Sequence, residues 1–216
     1  MSRASVFQQM AACGVIPVLA IESAEAALPL ADALLEGGLP LAEITFRTAA
    51  AAEVIETLSR RRPELLVGAG TVLSTENLEA AVAAGARFGV APGLNPRIVE
   101  RAGQLGLPFV PGVATASEIE QALDLDCRTV KFFPAEAAGG VKMIEALSGP
   151  YAHTGVRFVP TGGVTVANLA SYLGLPAVLA VGGTWIAKKD DLSAGRWSEI
   201  RQRSRAAVEI VRQFRG

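Results

Sequence analysis

Short apolar segments alternate along the chain with longer segments rich in alanine, leucine and glutamate. The apolar segments have the length and the β-branched or aromatic content of buried strands, and the segments between them have the composition of helices. Thr115 stands three residues before Glu118, as in a helix capping box, and Gly85 and Gly106 each follow a predicted last helical turn. The predicted strands cover residues 14–21, 41–46, 65–70, 87–92, 108–112, 129–133, 156–160 and 177–183.

Eight strand–helix units in 216 residues average about 27 residues each, which is typical of a parallel barrel. The pattern therefore predicts an α/β fold, a (β/α)8 TIM barrel, with a six-stranded doubly wound sheet as the competing architecture. No proline- or serine-rich linker divides the chain. We therefore expect a single (β/α)8 barrel domain over residues 1–216, with a terminal helix near 196–214.

Composition and charge restrict the function classes. Hydrophobic residues make up 50% of the chain and charged residues 19%, which excludes a disordered protein. The net charge of −1 gives no indication of a nucleic-acid partner. Cys13 and Cys127 match no metal or redox spacing, and the apolar run 14–21 is too short to span a bilayer. These features predict a cytoplasmic protein with no membrane partner and, with His153 as the only histidine, no metal site.

The first candidate for chemistry is Lys131, which lies inside the apolar run Thr129–Phe133. Lysine is almost never fully buried without a partner, and burial favours the neutral amine over the charged ammonium. A neutral amine attacks carbonyl carbons and forms Schiff bases. This segment alone favours a simpler arrangement, in which the lysine stem packs on apolar neighbours while the ammonium reaches solvent.

Strand alternation indicates where this lysine points. Alternate residues of a strand share a face, so Glu43, Thr45 and Arg47 lie on one side of their strand and the apolar residues between them on the other. The same alternation places Lys131 and Phe133 on the inner face of the sixth predicted strand. Two opposite charges then meet inside the barrel, either as an ion pair that only closes the core or as catalytic groups, which barrel enzymes keep at the C-terminal strand ends.

Two glycine pairs follow the last two predicted strands, Gly162 with Gly163 and Gly182 with Gly183. Loops without side chains let backbone N–H groups approach an anion, and a helix N-terminus adds partial positive charge. In parallel barrels, the loops after the seventh and eighth strands commonly hold phosphate. The pairs therefore predict a phosphate-binding end of the site, although a single Gly-Gly is also typical of a tight turn.

Several motifs together resemble one family, the 2-keto-3-deoxy-6-phosphogluconate and 4-hydroxy-2-oxoglutarate aldolases. The resemblance runs from about residue 14 to residue 190, and its most specific part is the segment around Lys131. It implies a metal-independent, cofactor-free class I aldolase, a homotrimer of the Entner–Doudoroff pathway that releases pyruvate and glyceraldehyde 3-phosphate. The motifs are "EITFRT", "VGAGTV", "APGLNP", "VKFFPAEAAGG", "PTGGVT" and "VGGTW".

The resemblance also implies roles for individual residues. Lys131 would form the imine with the substrate ketone, and Glu43 would carry protons. Arg47 and Thr71 would hold the pyruvate carboxylate, and Pro92 and Phe133 would wall the pocket. The residues expected at the phosphate end are Thr161, Gly162, Gly163, Gly182, Gly183 and Thr184.

Other functions remain open at this point. The partner implied is a small 2-keto acid phosphate, but related aldolases act on 4-hydroxy-2-oxoglutarate or 2-keto-3-deoxy-6-phosphogalactonate. A phosphosugar isomerase or metal-dependent decarboxylase could use the same barrel, with Lys131 as an electrostatic group only. A non-catalytic barrel that binds a phosphometabolite is the third possibility. The inward Glu43 argues against this last reading, and the lack of an Asp/His ligand cluster argues against the metal enzyme.

Overall fold

The computed structural model describes residues 3–215, so residues 1, 2 and 216 of the expected domain lie outside the described part. Within the described residues there are nine strands: β1 (Val15–Leu19), β2 (Leu41–Thr45), β3 (Leu66–Gly70), β4 (Gly89–Val90), β5 (Phe109–Val110), β6 (Gly112–Val113), β7 (Thr129–Phe132), β8 (Arg157–Pro160) and β9 (Val181–Gly183). Every predicted strand segment contains one of these strands, and the fifth segment contains β5 and the first residue of β6.

The helices follow the strands as the composition predicts, and Thr115 with Glu118 forms the expected capping box. The described residues also contain two 3₁₀ turns, Ala24–Ala26 and Ala152–Thr154. None of the helices within residues 3–215 combines the length and apolar character that crossing a membrane requires. The helices are α1 (Arg3–Cys13), α2 (Ala27–Glu36), α3 (Ala51–Arg61), α4 (Thr75–Ala83), α5 (Pro96–Gln104), α6 (Ala116–Asp124), α7 (Gly140–Tyr151), α8 (Leu169–Leu173), α9 (Lys189–Ser193) and α10 (Trp197–Arg215).

The prediction of a closed eight-stranded TIM barrel is wrong. The strands form two parallel sheets, a six-stranded sheet in the order β5-β4-β3-β2-β1-β9 and a three-stranded sheet in the order β6-β7-β8. On one side, isolated bridges from Phe158 to Val178 and from Thr161 to Gly182 join the sheets. The strands thus follow one another in the order of a parallel barrel, but the hydrogen bonding around it is incomplete.

The other break between the sheets lies in the fifth predicted strand, at Pro111. Proline has no backbone N–H to give to a strand ladder. Residues before it pair with β4, whereas Gly112 and Val113 after it pair with β7. The Pro111 carbonyl accepts a hydrogen bond from the Lys131 backbone N–H at 2.8 Å. One predicted strand is therefore divided between the two sheets.

The core has two parts, and their composition follows strand alternation. The larger part lies between strands and helices and includes Ala42 and Ile44 of β2. The smaller part includes Leu41 of the same strand, together with Val6 and Met10 of α1. Leu41 and Glu43 thus share the face opposite the helix-packed residues. Helix α1 packs on the inner face at the N-terminal strand ends, and the polar inner residues lie toward the C-terminal ends.

Candidate active site

A cavity of about 230 Å³ lies at the C-terminal ends of the strands, where most of the predicted site residues meet. Of the site residues predicted from the sequence, all except Glu43 and Gly183 line this cavity. A larger cavity of about 530 Å³ lies beside the start of β8, but its mainly apolar wall contains no lysine. We therefore take the smaller cavity as the candidate site. Its lining residues are Val18, Thr45, Arg47, Thr71, Pro92, Lys131, Phe133, Thr161, Gly162, Gly163, Val164, Gly182 and Thr184.

Lys131, which lines this cavity, forms a buried ion pair with Glu43, which does not. Lys131 Nζ lies 3.3 Å from Glu43 Oε1, and the two side chains are 6% and 3% exposed. Nζ also lies 5.7 Å from the centre of the Phe133 ring, within reach of a cation–π contact. A buried ion pair is seldom more stabilising than apolar residues of equal volume. What this pair offers is a nucleophilic nitrogen at the cavity wall with a proton-carrying carboxyl group beside it.

Glycine in β3 provides the space for the Glu43 carboxylate. The register pairs Glu43 with Gly68 and Thr45 with Gly70 on the neighbouring strand. A Cβ atom built on Gly70 would lie 2.6 Å from Glu43 Cγ and 2.8 Å from Cδ, closer than real side chains pack. A strand glycine often marks such a close approach. Gly70 is thus a functional position that sequence reasoning did not assign, although the "VGAG" motif was its signal.

Arg47 is oriented by a threonine that sequence reasoning placed on the inner face but gave no role. The Thr45 hydroxyl donates a hydrogen bond to the Leu19 carbonyl at 2.9 Å and accepts one from Arg47 Nε at 3.1 Å. The side chain of Thr45 is buried, and the guanidinium of Arg47 lies at the cavity. Donation to Leu19 leaves the oxygen lone pairs of Thr45 free for the arginine.

Thr71 follows β3 directly and has a left-handed backbone, with φ of 54°. This conformation is unusual for a β-branched residue and costs about 1–3 kcal/mol. Thr71 lines the cavity, and it follows the strand next to the one that Arg47 follows. Neighbouring strands thus bring a guanidinium and a threonine hydroxyl to the cavity, and such a set is suitable for binding a carboxylate.

The two glycine pairs differ in the structure. Gly162 and Gly163 both have left-handed backbones, with φ of 99° and 80°, and both line the cavity. Gly182 and Gly183 belong to the extended strand β9. Gly182 lines the cavity, and a Cβ atom there would collide with Thr161. At Gly183 a Cβ atom would instead overlap the Trp185 ring, and Gly183 does not line the cavity.

No group of three or more histidine, cysteine, aspartate or glutamate residues within residues 3–215 is arranged to hold a metal ion. His153 lies exposed in the second 3₁₀ turn. Burial raises the pKa of Cys13 to about 11, and burial also raises the pKa of Cys127. Both shifts favour the protonated thiol, which is the less nucleophilic form.

Comparison with known proteins gives consistent matches over nearly the whole chain. The family model described as "KDPG and KHG aldolase" matches residues 6–203. The chain is 46% identical to the 2-dehydro-3-deoxy-phosphogluconate aldolase of Treponema pallidum, over 96% of this chain and 98% of that protein. It is 42% identical to the KHG/KDPG aldolase of Escherichia coli K12, over 90% of this chain and 91% of that protein.

The fold is also similar to solved structures. The KDPG aldolase of Legionella pneumophila superimposes with a TM-score of 0.90 at 40% identity, covering 96% of this chain and 98% of that chain. That crystal structure holds pyruvate captured at low pH as a covalent carbinolamine intermediate. A carbinolamine is the adduct that precedes an imine, so the chemistry captured in that relative is of the kind suited to a buried lysine amine.

Proposed function

Because this chain belongs to the KDPG and KHG aldolase family, we propose that it cleaves 2-keto-3-deoxy-6-phosphogluconate (KDPG) to pyruvate and glyceraldehyde 3-phosphate as a class I aldolase. Members of this family are aldolases, and aldolases are lyases. The observation that carries the proposal is the buried pair of Lys131 Nζ and Glu43 Oε1, 3.3 Å apart, with Lys131 in the cavity lining.

In the proposed reaction, the Lys131 amine attacks the C2 ketone and forms a carbinolamine, which loses water to become an imine. Glu43, which takes a proton from the Lys131 ammonium before the attack, supplies the proton that water needs to leave. The resulting Glu43 carboxylate then removes the proton of the C4 hydroxyl, the C3–C4 bond breaks, and its electron pair moves into the protonated imine. The aldehyde departs and leaves an enamine, which takes that proton from Glu43 at C3. Hydrolysis of the resulting imine releases pyruvate and restores the amine.

The two ends of the cavity suit the two ends of this substrate. We assign Arg47 and Thr71 to the keto acid carboxylate and Pro92 and Phe133 to the pocket walls. The phosphate would bind at the opposite end through backbone N–H and hydroxyl groups, where two left-handed glycines leave the backbone open. The residues assigned to that end are Thr161, Gly162, Gly163, Gly182, Gly183 and Thr184, with Gly183 able to contribute only through its backbone.

A second substrate has a specific observation in its favour. The E. coli relative carries a name that includes 4-hydroxy-2-oxoglutarate (KHG) as well as KDPG. KHG has the same reacting keto acid portion but ends in a carboxylate instead of a phosphate. The same lysine and acid/base group would therefore serve it, and the distant end of the site decides the preference. The related substrate 2-keto-3-deoxy-6-phosphogalactonate differs from KDPG in stereochemistry only.

We further propose that the whole chain is one domain and that the enzyme works in the cytoplasm as a homotrimer in the Entner–Doudoroff pathway. The trimer and the pathway rest on the motif resemblance, the single domain on the absence of a linker, and the compartment on the cysteine pattern and the short apolar run. Light scattering coupled to gel filtration tests the assembly, because a trimer has three times the mass of the 22.4 kDa chain. A monomer or dimer at micromolar concentration contradicts it.

Cleavage assays with purified protein test the proposed function directly. Pyruvate release is followed with lactate dehydrogenase, using KDPG, its galactonate epimer and KHG at matched concentrations. We expect the highest kcat/KM with KDPG, and no pyruvate from the Lys131→Ala variant. Isomerisation or carbon dioxide release without pyruvate would instead support the isomerase or decarboxylase. Tight binding without turnover would support a binding protein.

A further inference from the structure

Glu136 and Tyr172 form a contact that the proposed reaction does not use. Glu136 lies in the connection from β7 to α7, and Tyr172 is fully buried in α8. The Tyr172 hydroxyl donates a hydrogen bond to Glu136 Oε1. Burial, and then the adjacent carboxylate, raise the pKa of Tyr172, so the hydroxyl remains a protonated donor well above neutral pH.

Glu136 is also attached to the glycine loop that follows β8. The Glu136 N–H donates to the Gly162 carbonyl at 3.0 Å, and the neighbouring Ala135 N–H donates to the Thr161 carbonyl at 2.8 Å. A Cβ atom on Gly163 would lie 2.6 Å from both Cβ and Cγ of Glu136. The Glu136 side chain therefore packs directly against Gly163 and fills the space that a side chain there would need.

We propose that Glu136 and Tyr172 are positioning residues that hold the Gly162–Gly163 loop in its anion-binding conformation and thereby set the preference for a phosphorylated substrate. This rests on the proposed function. Neither residue is among those that line the cavity, so both would act through the glycine loop. In this arrangement Tyr172 holds the Glu136 carboxylate by a hydrogen bond, and the Glu136 side chain supports Gly163. The loop can then direct its backbone N–H groups at the anion.

The geometry explains why an added support is useful at this point. Gly162 and Gly163 are left-handed, and two consecutive glycines have more backbone freedom than any other pair of residues, so without support the loop would have many alternative conformations. A phosphate site made from backbone N–H groups requires one of them. Restricting the loop before the substrate arrives lowers the conformational entropy that is lost on binding.

The Tyr172→Phe variant tests this proposal, because it removes the hydroxyl and retains the ring. The measurement is KM for KDPG and for 2-keto-3-deoxygluconate, which is the same substrate without phosphate. We expect KM for KDPG to rise about 2- to 13-fold, as for loss of a hydrogen bond of typical strength, with kcat nearly unchanged. KM for the unphosphorylated substrate and the rate of pyruvate trapping on Lys131 should remain as in wild type.

Tyr151→Phe is the matched control. Tyr151 is the only other tyrosine of the chain, and its hydroxyl also donates to a glutamate, Glu120, at 2.9 Å. That pair joins α7 to α6 and does not line the cavity. The control variant should leave both KM values unchanged. Equal increases for both substrates in Tyr172→Phe, or the same effect in Tyr151→Phe, would show a structural role only and overturn the proposal.

Variants of Glu136 complete the test without changing the buried tyrosine, since Glu136 is exposed. Glu136→Gln keeps the methylenes and an oxygen that accepts from Tyr172, so it should retain the preference for phosphate. Glu136→Ala should lose it as Tyr172→Phe does, and it provides the result if the tyrosine variant fails to fold. If Glu136→Ala keeps the preference for the phosphorylated substrate, this proposal is overturned, while the assigned phosphate end is not. A wild-type enzyme with no preference for phosphate overturns it together with the assigned phosphate end.

Discussion

The Gly70→Ala variant should inactivate the enzyme by displacing Glu43 with a single methyl group. The added Cβ would lie 2.6 Å from Glu43 Cγ and 2.8 Å from Cδ. Carbon atoms in contact normally lie about 3.5–4.0 Å apart, so the carboxylate must move by about 1 Å. The φ of Gly70 is not in the left-handed region, so alanine fits the strand backbone and steric overlap with Glu43 is the main effect.

The expected loss follows from this displacement. Glu43 lies between β3 and Lys131, and its Oε1 is already 3.3 Å from Nζ. A misplacement of about 1 Å in a catalytic group can lower the rate by about 100-fold. Overpacking of this kind costs about 1–3 kcal/mol of folding free energy, which many domains tolerate. We therefore expect a folded protein whose kcat falls by about 100-fold or more.

The assay combines KDPG turnover with thermal unfolding, and Gly68→Ala is the matched control. Gly68 lies in the same strand two residues earlier, and a Cβ there would overlap the Phe88 ring instead of Glu43. The control should lower the unfolding temperature while its folded fraction keeps near-normal turnover. A folded Gly70→Ala enzyme with kcat within about threefold of wild type would refute the assigned position of Glu43 in the mechanism.

Three further predictions concern the same site. Glu43→Gln retains the shape but removes the proton carrier, so kcat for KDPG should fall about 10²- to 10⁴-fold, and unchanged turnover would assign the proton transfer to another group. Thr45→Val removes the hydroxyl that orients Arg47, so KM for KDPG should rise about 3- to 10-fold with little change in kcat. A fall in kcat alone would contradict a role of Arg47 in substrate binding. Turnover should persist in EDTA because the imine serves as electron sink; loss on chelation that added metal reverses would favour the metal-dependent reading.

The meeting of Lys131 and Glu43 could be predicted from the sequence because strand alternation has a fixed period of two residues. The roles of Thr45 and Gly70 could not, since they depend on which residues of neighbouring strands lie opposite them. Thr45 reaches the Leu19 carbonyl, and Gly70 makes room for Glu43. Register of this kind is set by the assembled sheet, not by the local sequence.

The two glycine pairs have the same letters but different structures. Both follow apolar strands in the sequence, so both predict an anion-binding turn. Only Gly162 and Gly163 have left-handed backbones, whereas Gly182 and Gly183 continue a strand and make room for Thr161 and Trp185. The side chain that needs the space left by a glycine lies elsewhere in the chain, and its position is known only from the fold.

The closed barrel was predicted from the number and spacing of the strand segments, which do not indicate whether every strand pair is hydrogen-bonded. Pro111 was visible in the fifth segment, and its missing N–H was the available signal. Its effect depends on the two different neighbours, β4 and β7, that the residues on either side of it meet. The order of the strands was therefore predictable, and the division into two sheets was not.

The most direct test of the mechanism is the mass of the intact protein after treatment with pyruvate and borohydride, followed by peptide mapping. Borohydride reduces an imine to a stable secondary amine, so one pyruvate per chain should be trapped on Lys131 and none in Lys131→Ala. The other lysines, Lys142, Lys188 and Lys189, are all exposed and serve as internal controls. An absent adduct, or one that is found on these exposed lysines and persists in Lys131→Ala, would contradict the Schiff-base mechanism.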